Sequence, residues 1–316
     1  MSRADTVVAL SGGVGGAKLA LGLAECLGER LLVACNTGDD FEHLGLTIAP
    51  DFDTVLYTLS GLANPELGWG RADESWNFLE TLGRLGGDVW FRLGDRDLAL
   101  HVLRTQMLRD GVSPGSIADR LREAFGIAAR IQPATQDRLR TIVETDVGTL
   151  AFQDYFVRLR CAPKVTSIRF DGCETARPSP ELVEVFSPPG PAAYVICPSN
   201  PYLSVAPMLA VHGIRQALLQ RSAPCIAVSP IVHGQAIKGP TAKIMAEIGV
   251  EPSALEVARL WADLIDVLVL DQSDADLTPA IEALGVRVVL AETIMRTTAD
   301  KVALARVVLA AAGVVA

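Results

Sequence analysis

The sequence predicts an α/β protein: a mostly parallel sheet with helices on both faces, carrying an inserted smaller α+β lobe. Three observations predict it. Short apolar runs alternate with helical patterns near the start of the chain and again from residue 193 onward. A glycine-rich turn joins the first apolar run to the first helix, which is the order of a ligand-binding α/β unit. Between residues 68 and 186 the rhythm changes, with helices first and then short strands that lack long helices between them.

The elements follow in order. Thr6 to Leu10 is the first strand, and Ala17 to Leu27 is an Ala/Leu-rich helix. Arg30 to Cys35 is the second strand, and Thr54 to Leu62 a helix with Asp53 as its N-cap. Leu98 to Arg109 and Ile117 to Phe125 are helices, the second announced by Ser113 as cap and Pro114 in its first turn. Ile127 to Ile131, Thr141 to Glu144, Thr149 to Tyr155 and Thr166 to Phe170 read as short strands of the lobe. Ser187-Pro188-Pro189-Gly190-Pro191 closes the lobe as a stiff linker. Ala193 to Cys197, Cys225 to Val228, Val267 to Leu270 and Val286 to Leu290 resume the parallel sheet. Pro207 to Gln220, Thr241 to Ile248 and Thr298 to Ala312 are its helices. Residues 1–67 and 187–316 thus form the core, and 68–186 the inserted lobe.

The chain has 316 residues, 50% apolar and 21% charged, so it can bury a large core. A net charge of −9 argues against duplex nucleic acid and anionic membranes, which reward basic patches. The six cysteines form no C-x-x-C pair, which favours a reducing cytosol over a disulfide framework. Met1 to Asp5 lead straight into the first strand, so no signal peptide is expected, and Lys301 and Arg306 break the apolar C-terminal run.

The loop Gly12-Gly13-Val14-Gly15-Gly16 has four glycines in five positions, more than a tight turn needs. Glycines let a phosphate approach the backbone at a helix N-terminus. Lys18 follows within the first turn. The loop lacks the Gly-Lys-Ser/Thr ending of a Walker A sequence. Lys18 also stands where the third glycine of a dinucleotide fingerprint belongs, so the loop suggests phosphate without naming a ligand.

Ligands of open α/β sheets sit beyond the carboxyl ends of the strands. The segments at that edge are the glycine loop, Asn36-Thr37-Gly38-Asp39-Asp40, Pro198-Ser199-Asn200-Pro201, and Ser229 to Lys243. Asp39, Asp40, Asp51 and Asp53 suit a hard cation held by carboxylates and substrate phosphate. Asp39 also suits a turn, and Asp53 a cap. Lys238 and Lys243 flank a turn that opens a helix, a second phosphate site or a solvated helix start. Arg92 and Arg96 lie beside Gly94, where they would clamp a planar or anionic ligand or form surface ion pairs. His43, His101, His212 and His233 show no metal spacing, and no Gly-x-Ser-x-Gly elbow is present.

Taken together, these segments resemble the 2-phospho-L-lactate transferases of coenzyme F-420 biosynthesis. The resemblance rests on Leu10 to Leu19, Asn36 to Asp40, Pro50 to Val55, Leu93 to Asp97, Ser199 to Pro201, Val228 to Ile231 and Gly239 to Lys243, in that order along the chain. It implies a Rossmann-like core and transfer of a phospho-acid group from a guanylylated donor to the ribityl alcohol of the deazaflavin Fo, releasing GMP. It implies dependence on Mg²⁺, placed near Asp40 and Asp53, and a cytoplasmic homodimer. Asp53 and Arg92, with Arg96 beside them, match the Fo side, to which the lobe would contribute. Gly12, Gly13, Gly15, Gly16, Lys18, Asn36, Ser199, Asn200 and Lys243 fall on the nucleotide side. Asp53, with Asp40, would carry the chemistry, orienting or deprotonating the attacking hydroxyl. The alternative is a non-catalytic nucleotide-sugar-binding regulatory protein of related fold. Pro50 to Asp53 and Gly94 to Asp97 favour the enzyme, because a pure nucleotide binder needs no acceptor site.

Overall fold

The computed structural model describes residues 3–65 and 68–316. The start of the expected N-terminal lead-in (Met1, Ser2) and the expected core boundary at Leu67 lie outside the described residues. Seven strands form one central sheet: β1 (Val7–Ser11), β2 (Leu31–Cys35), β3 (Arg130–Pro133), β4 (Ala193–Ile196), β5 (Cys225–Val228), β6 (Val267–Asp271) and β7 (Arg287–Ala291). Their spatial order is 3-2-1-4-5-6-7, and every neighbouring pair is parallel. This is the Rossmann-like arrangement extended by one strand, with its topological switch between β1 and β4.

The inner strands are apolar throughout because both faces are covered. Val7 and Ala9 face one layer of core, and Val8 and Leu10 the other. The first layer includes α1 (Gly13–Leu27), α2 (Pro50–Leu59) and, after α3 (Asn77–Arg84), the helices α4 (Asp95–Arg109) and α5 (Pro114–Ala124). The helix Thr298–Ala311 crosses α1 so closely that a Cβ on Gly22 would meet the Lys301 carbonyl.

The strand expected within the lobe at residues 127–131 is instead β3, the edge of the central sheet, paired with β2. Ile131 is fully buried there, and α5 packs behind it. The rest of the expected small sheet is present, except that the strand expected over 149–155 ends at Ala151 and the chain turns helical at Asp154–Arg158. Arg140–Thr145 runs antiparallel between Gly148–Ala151 and Val165–Asp171, over a separate core of Val143, Phe152, Tyr155 and Val165.

Several helix boundaries differ from expectation: α1 begins at Gly13 rather than Ala17, so Gly13 to Gly16 form its first turn, and α4 begins at Asp95 rather than Leu98. α2 begins at Pro50 with Ala49 as its N-cap, so Asp53 lies inside the first turn and caps nothing. Proline at the first helical position presets the helical φ and needs no donor, so the helix starts there. The helix expected from Pro207 to Gln220 is two, Ala206–Ala210 and His212–Leu219, broken where Val211 takes extended backbone with ψ 106°. Among the described residues no helix is long and apolar enough to cross a membrane. All six cysteines are free thiols.

Candidate functional site at the sheet switch point

The loops after β1 and β4 meet at the switch point. The Gly12 amide donates to Ser199 Oγ at 3.1 Å, and the Gly13 amide to Asp51 Oδ1 at 2.7 Å. The protein's own carboxylate therefore caps the N-terminus of α1, where a free phosphate was expected. Gly13, at φ 64°, is the glycine that the turn itself requires. A Cβ on Gly15 would strike the Pro198 carbonyl, and one on Gly16 would stand 2.5 Å from Ser199 Oγ and 2.6 Å from Ser11 Oγ. Gly12 is closed in by Ser204 and Asp51. Three of the four loop glycines are thus fixed by the approach of the chain to itself.

Asn36 joins this junction to the second loop. Its Nδ2 donates to Asp51 Oδ2 at 2.9 Å, and its Oδ1 accepts from the Gly38 amide at 2.8 Å. Asn200 Oδ1 accepts from the Tyr202 and Leu203 amides, while its Nδ2 is buried without a partner. Ser11 Oγ, Thr37 Oγ1, Thr141 Oγ1, Asp39 Oδ1 and Asp40 Oδ1 are also buried and unpartnered. Buried polar atoms are normally satisfied, so a run of open valences at one sheet edge marks a place for a ligand.

The carboxylates here are held toward their protonated forms. Burial pushes Asp40 up to about 8, with Arg140 and Arg104 opposing and Asp53 and Asp51 adding to it. Burial likewise raises Asp51 to about 6, against the hydrogen bonds from Asn36 and Gly13. Asp39 is raised well above the carboxylate range by burial and then by Asp51. A cation would relieve these groups. Among the described residues no three His, Cys, Asp or Glu side chains form a metal cage of their own. The open oxygens of Asp39 and Asp40 instead fit Mg²⁺ held by one or two carboxylates together with substrate oxygens.

Asp53 belongs to a different set of contacts. Arg104 Nη1 donates to its Oδ2 at 3.0 Å, and Arg104 Nη2 pairs with its Oδ1. His101 Nδ1 stands 3.7 Å from Asp53 Oδ2, and His101 Nε2 stands 3.2 Å from Asp97 Oδ2. The Tyr57 hydroxyl donates to Asp97 Oδ1 at 2.6 Å. Asp53, His101 and Arg104 are all buried. Sequence reasoning passed over His101 and Arg104. The available signal was the spacing of Asp97, His101 and Arg104, which puts them on one face of α4.

Asp97 also lines a small cleft with Trp69, Arg71, Glu74, Trp76 and Arg92. The exposed Arg92 guanidinium lies 4.3 Å from the centre of the Trp76 ring. Glu74 caps α4 by accepting from the Arg96 and Asp97 amides, each at 2.8 Å. Arg92 shares the lining of this cleft with Asp97, whose carboxylate lies against His101, and His101 in turn faces Asp53. The Arg96 side chain is exposed beside this cleft.

Two lysines stand elsewhere than expected. Lys243 Nζ donates to the Pro163 carbonyl at 2.9 Å, pairs with Glu247 and lies over Tyr155, tying its helix to the small sheet. Its charge is occupied by the protein. Lys18 Nζ donates to the Met295 carbonyl at 2.9 Å, on the flank of α1 and away from the Asp51 cap.

The fold and this cleft define the class: a Rossmann-like α/β protein whose ligand edge lies at the β1–β4 switch, flanked by a cleft of aromatic and cationic side chains. The model of the 2-phospho-L-lactate transferase CofD family matches residues 7–303, and the chain belongs to that family of coenzyme F-420 biosynthesis. It is 41% identical over 290 residues to a phosphoenolpyruvate transferase of Kitasatospora aureofaciens, covering 89% of each chain. It is 40% identical over 304 residues to a 2-phospho-L-lactate transferase of Methanopyrus kandleri, covering 95% of each. In fold it is similar to a UPF0052 family member from Bacillus halodurans, with TM-score 0.63 at 15% identity over 96% of this chain and 98% of that one.

Proposed function

We propose that the protein moves a phospho-acid group from a guanylylated diphosphate donor to the ribityl hydroxyl of Fo. A bond forms from the ribityl oxygen to the phosphorus of the phospho-acid. The anhydride bond to the GMP phosphate breaks, GMP leaves, and the hydroxyl proton passes to a carboxylate or water. The observation that carries this reading is a cleft lined by Arg92, stacked on Trp76, and by Asp97, behind which His101 leads to the buried Asp53. A planar, polar-rimmed ring suits a guanidinium beside an indole. A hydroxylated tail suits a fixed carboxylate within reach.

Both oxygens of Asp53 are engaged by Arg104, so Asp53 is better suited to orient the hydroxyl than to act as a free base or an independent metal ligand. Asp40, with an open oxygen, is the better metal ligand of the pair. Mg²⁺ held at Asp40, with Asp53 beside it, would neutralise charge on the donor diphosphate. We place the reaction in the cytoplasm, in a homodimer. Relatives named for phosphoenolpyruvate and for phospholactate stand at 41% and 40% identity, so identity does not select the acid.

Titrating Fo by its fluorescence tests the acceptor side. Arg92→Ala should weaken Fo binding roughly tenfold or more, as expected for loss of a charged contact, and leave donor binding near wild type. Equal Fo affinity in variant and wild type would place the acceptor elsewhere.

A further inference from the structure

Behind the cleft of Arg92 and Trp76, two helices meet through polar side chains. α2 presents Asp53 and Tyr57, and α4 presents Asp97, His101 and Arg104, each set spaced to share one helix face. The two sets interlock in a row. The Tyr57 hydroxyl donates to Asp97 Oδ1 at 2.6 Å, and His101 Nε2 stands 3.2 Å from Asp97 Oδ2. His101 Nδ1 stands 3.7 Å from Asp53 Oδ2, and Arg104 engages both oxygens of Asp53. Tyr57, Asp53, His101 and Arg104 are buried, while Asp97 is partly open and lines the cleft. At the other end of the row, the charges of Arg104 and Asp53 act on Asp40. A buried row of this kind is weak evidence for stability, because a well-packed apolar seam would serve the fold as well. What it fixes is orientation.

His101 is the middle member. Arg104 Nη1 lies 3.4 Å from His101 Nδ1. A guanidinium only donates, so Nδ1 is the accepting nitrogen and the ring proton sits on Nε2, on the Asp97 side. Burial first, and then Asp53 and Asp97, push the Tyr57 hydroxyl well above its usual range, so it remains a donor. Against its own burial, His101, Tyr57 and Arg104 hold Asp97 below the usual carboxylate range. Asp97 is thus an ionised wall of the cleft, fixed from behind.

We propose that His101 is a positioning residue for the transfer: through Nε2 it aims Asp97 at the acceptor in the cleft, and through Nδ1 it steadies the Arg104–Asp53 pair beside the reacting hydroxyl. This rests on the transferase reading. His101 touches neither substrate, and its two nitrogens serve two different steps. Acceptor binding depends on the first and turnover on the second.

Two near-isosteric variants separate them. His101→Gln places an amide N–H near the position of Nε2 and leaves the Nδ1 position empty. His101→Asn places an amide oxygen near the position of Nδ1 and falls short of Asp97. Fo fluorescence titration reads the first step. The second is kcat at saturating Fo, with whichever guanylylated donor among phospholactate, phosphoenolpyruvate and 3-phosphoglycerate wild type uses fastest. His101→Gln should keep Fo affinity within about threefold of wild type and lose roughly tenfold in kcat; His101→Asn should weaken Fo roughly tenfold and keep kcat within about threefold. His101→Leu should lose both. Calorimetric titration of GDP should be unchanged in all three, and thermal melts check folding. A residue that serves packing alone would move Fo affinity and kcat together. Equal losses in both measurements for Gln and Asn, or no loss in either, would overturn the positioning role and leave the transferase reading intact. Wild type that binds no Fo, or turns over none of the three donors, would overturn that reading and this proposal with it.

Discussion

Arg104→Met should be among the most damaging substitutions in the chain that touch no ligand. Asp53 and Arg104 are each 5% exposed, and the guanidinium engages both carboxylate oxygens. Methionine keeps the stem and removes the charge, leaving a buried carboxylate with His101 Nδ1 at 3.7 Å as its remaining neighbour. Breaking one side of a buried pair costs about 3–5 kcal/mol. For 316 residues the unfolding entropy is about 0.7 kcal/mol per degree, so Tm should fall by about 4–7 °C. Thermal and urea unfolding of wild type and variant measure it. Adding Asp53→Asn in the Arg104→Met background should cost less than Asp53→Asn alone, because the two residues act as a unit. A deficit under about 1 kcal/mol would refute the reasoning that Asp53 is a desolvated, pair-dependent charge.

Two further predictions concern the ligand edge. In metal-free protein with EDTA, Asp40→Asn should stabilise the fold by up to a few kcal/mol at pH 8 and by little at pH 4. Asp40 titrates near 8 when folded, so wild type loses stability as pH rises from about 4 through 8 and the amide does not; a pH-independent difference in unfolding free energy would contradict this. Gly15→Ala should cost about 1–3 kcal/mol in ligand-free protein, because its Cβ meets the Pro198 carbonyl; an unchanged melting curve would show that the loops part freely.

The parallel core was legible because a strand buried on both faces reads as an unbroken apolar run, as in Val7-Val8-Ala9-Leu10 and Val267-Leu268-Val269-Leu270. β3 was placed in the wrong sheet because Arg130-Ile131-Gln132-Pro133 carries the polarity of an edge, and nothing local says which sheet it borders. The loops of the switch point were legible from the rule that ligands gather beyond strand ends. What fills them was not. The capping of α1 by Asp51 spans 38 residues and the Asp53–Arg104 pair 51, and no local pattern announces such partners. Lys243 shows the same limit: its turn resembles a phosphate site, and the Pro163 carbonyl that its ammonium meets lies 80 residues away.

The central claim is transfer of a phospho-acid group to Fo. Incubating the protein with Fo, Mg²⁺ and guanylylated phospholactate, phosphoenolpyruvate or 3-phosphoglycerate, and reading products by mass spectrometry, tests it directly. The account predicts GMP and Fo bearing the phospho-acid in equal amounts with at least one donor, and loss of both products with Asp40→Asn. Fo recovered unmodified with every donor, from folded protein that binds both substrates, would contradict it.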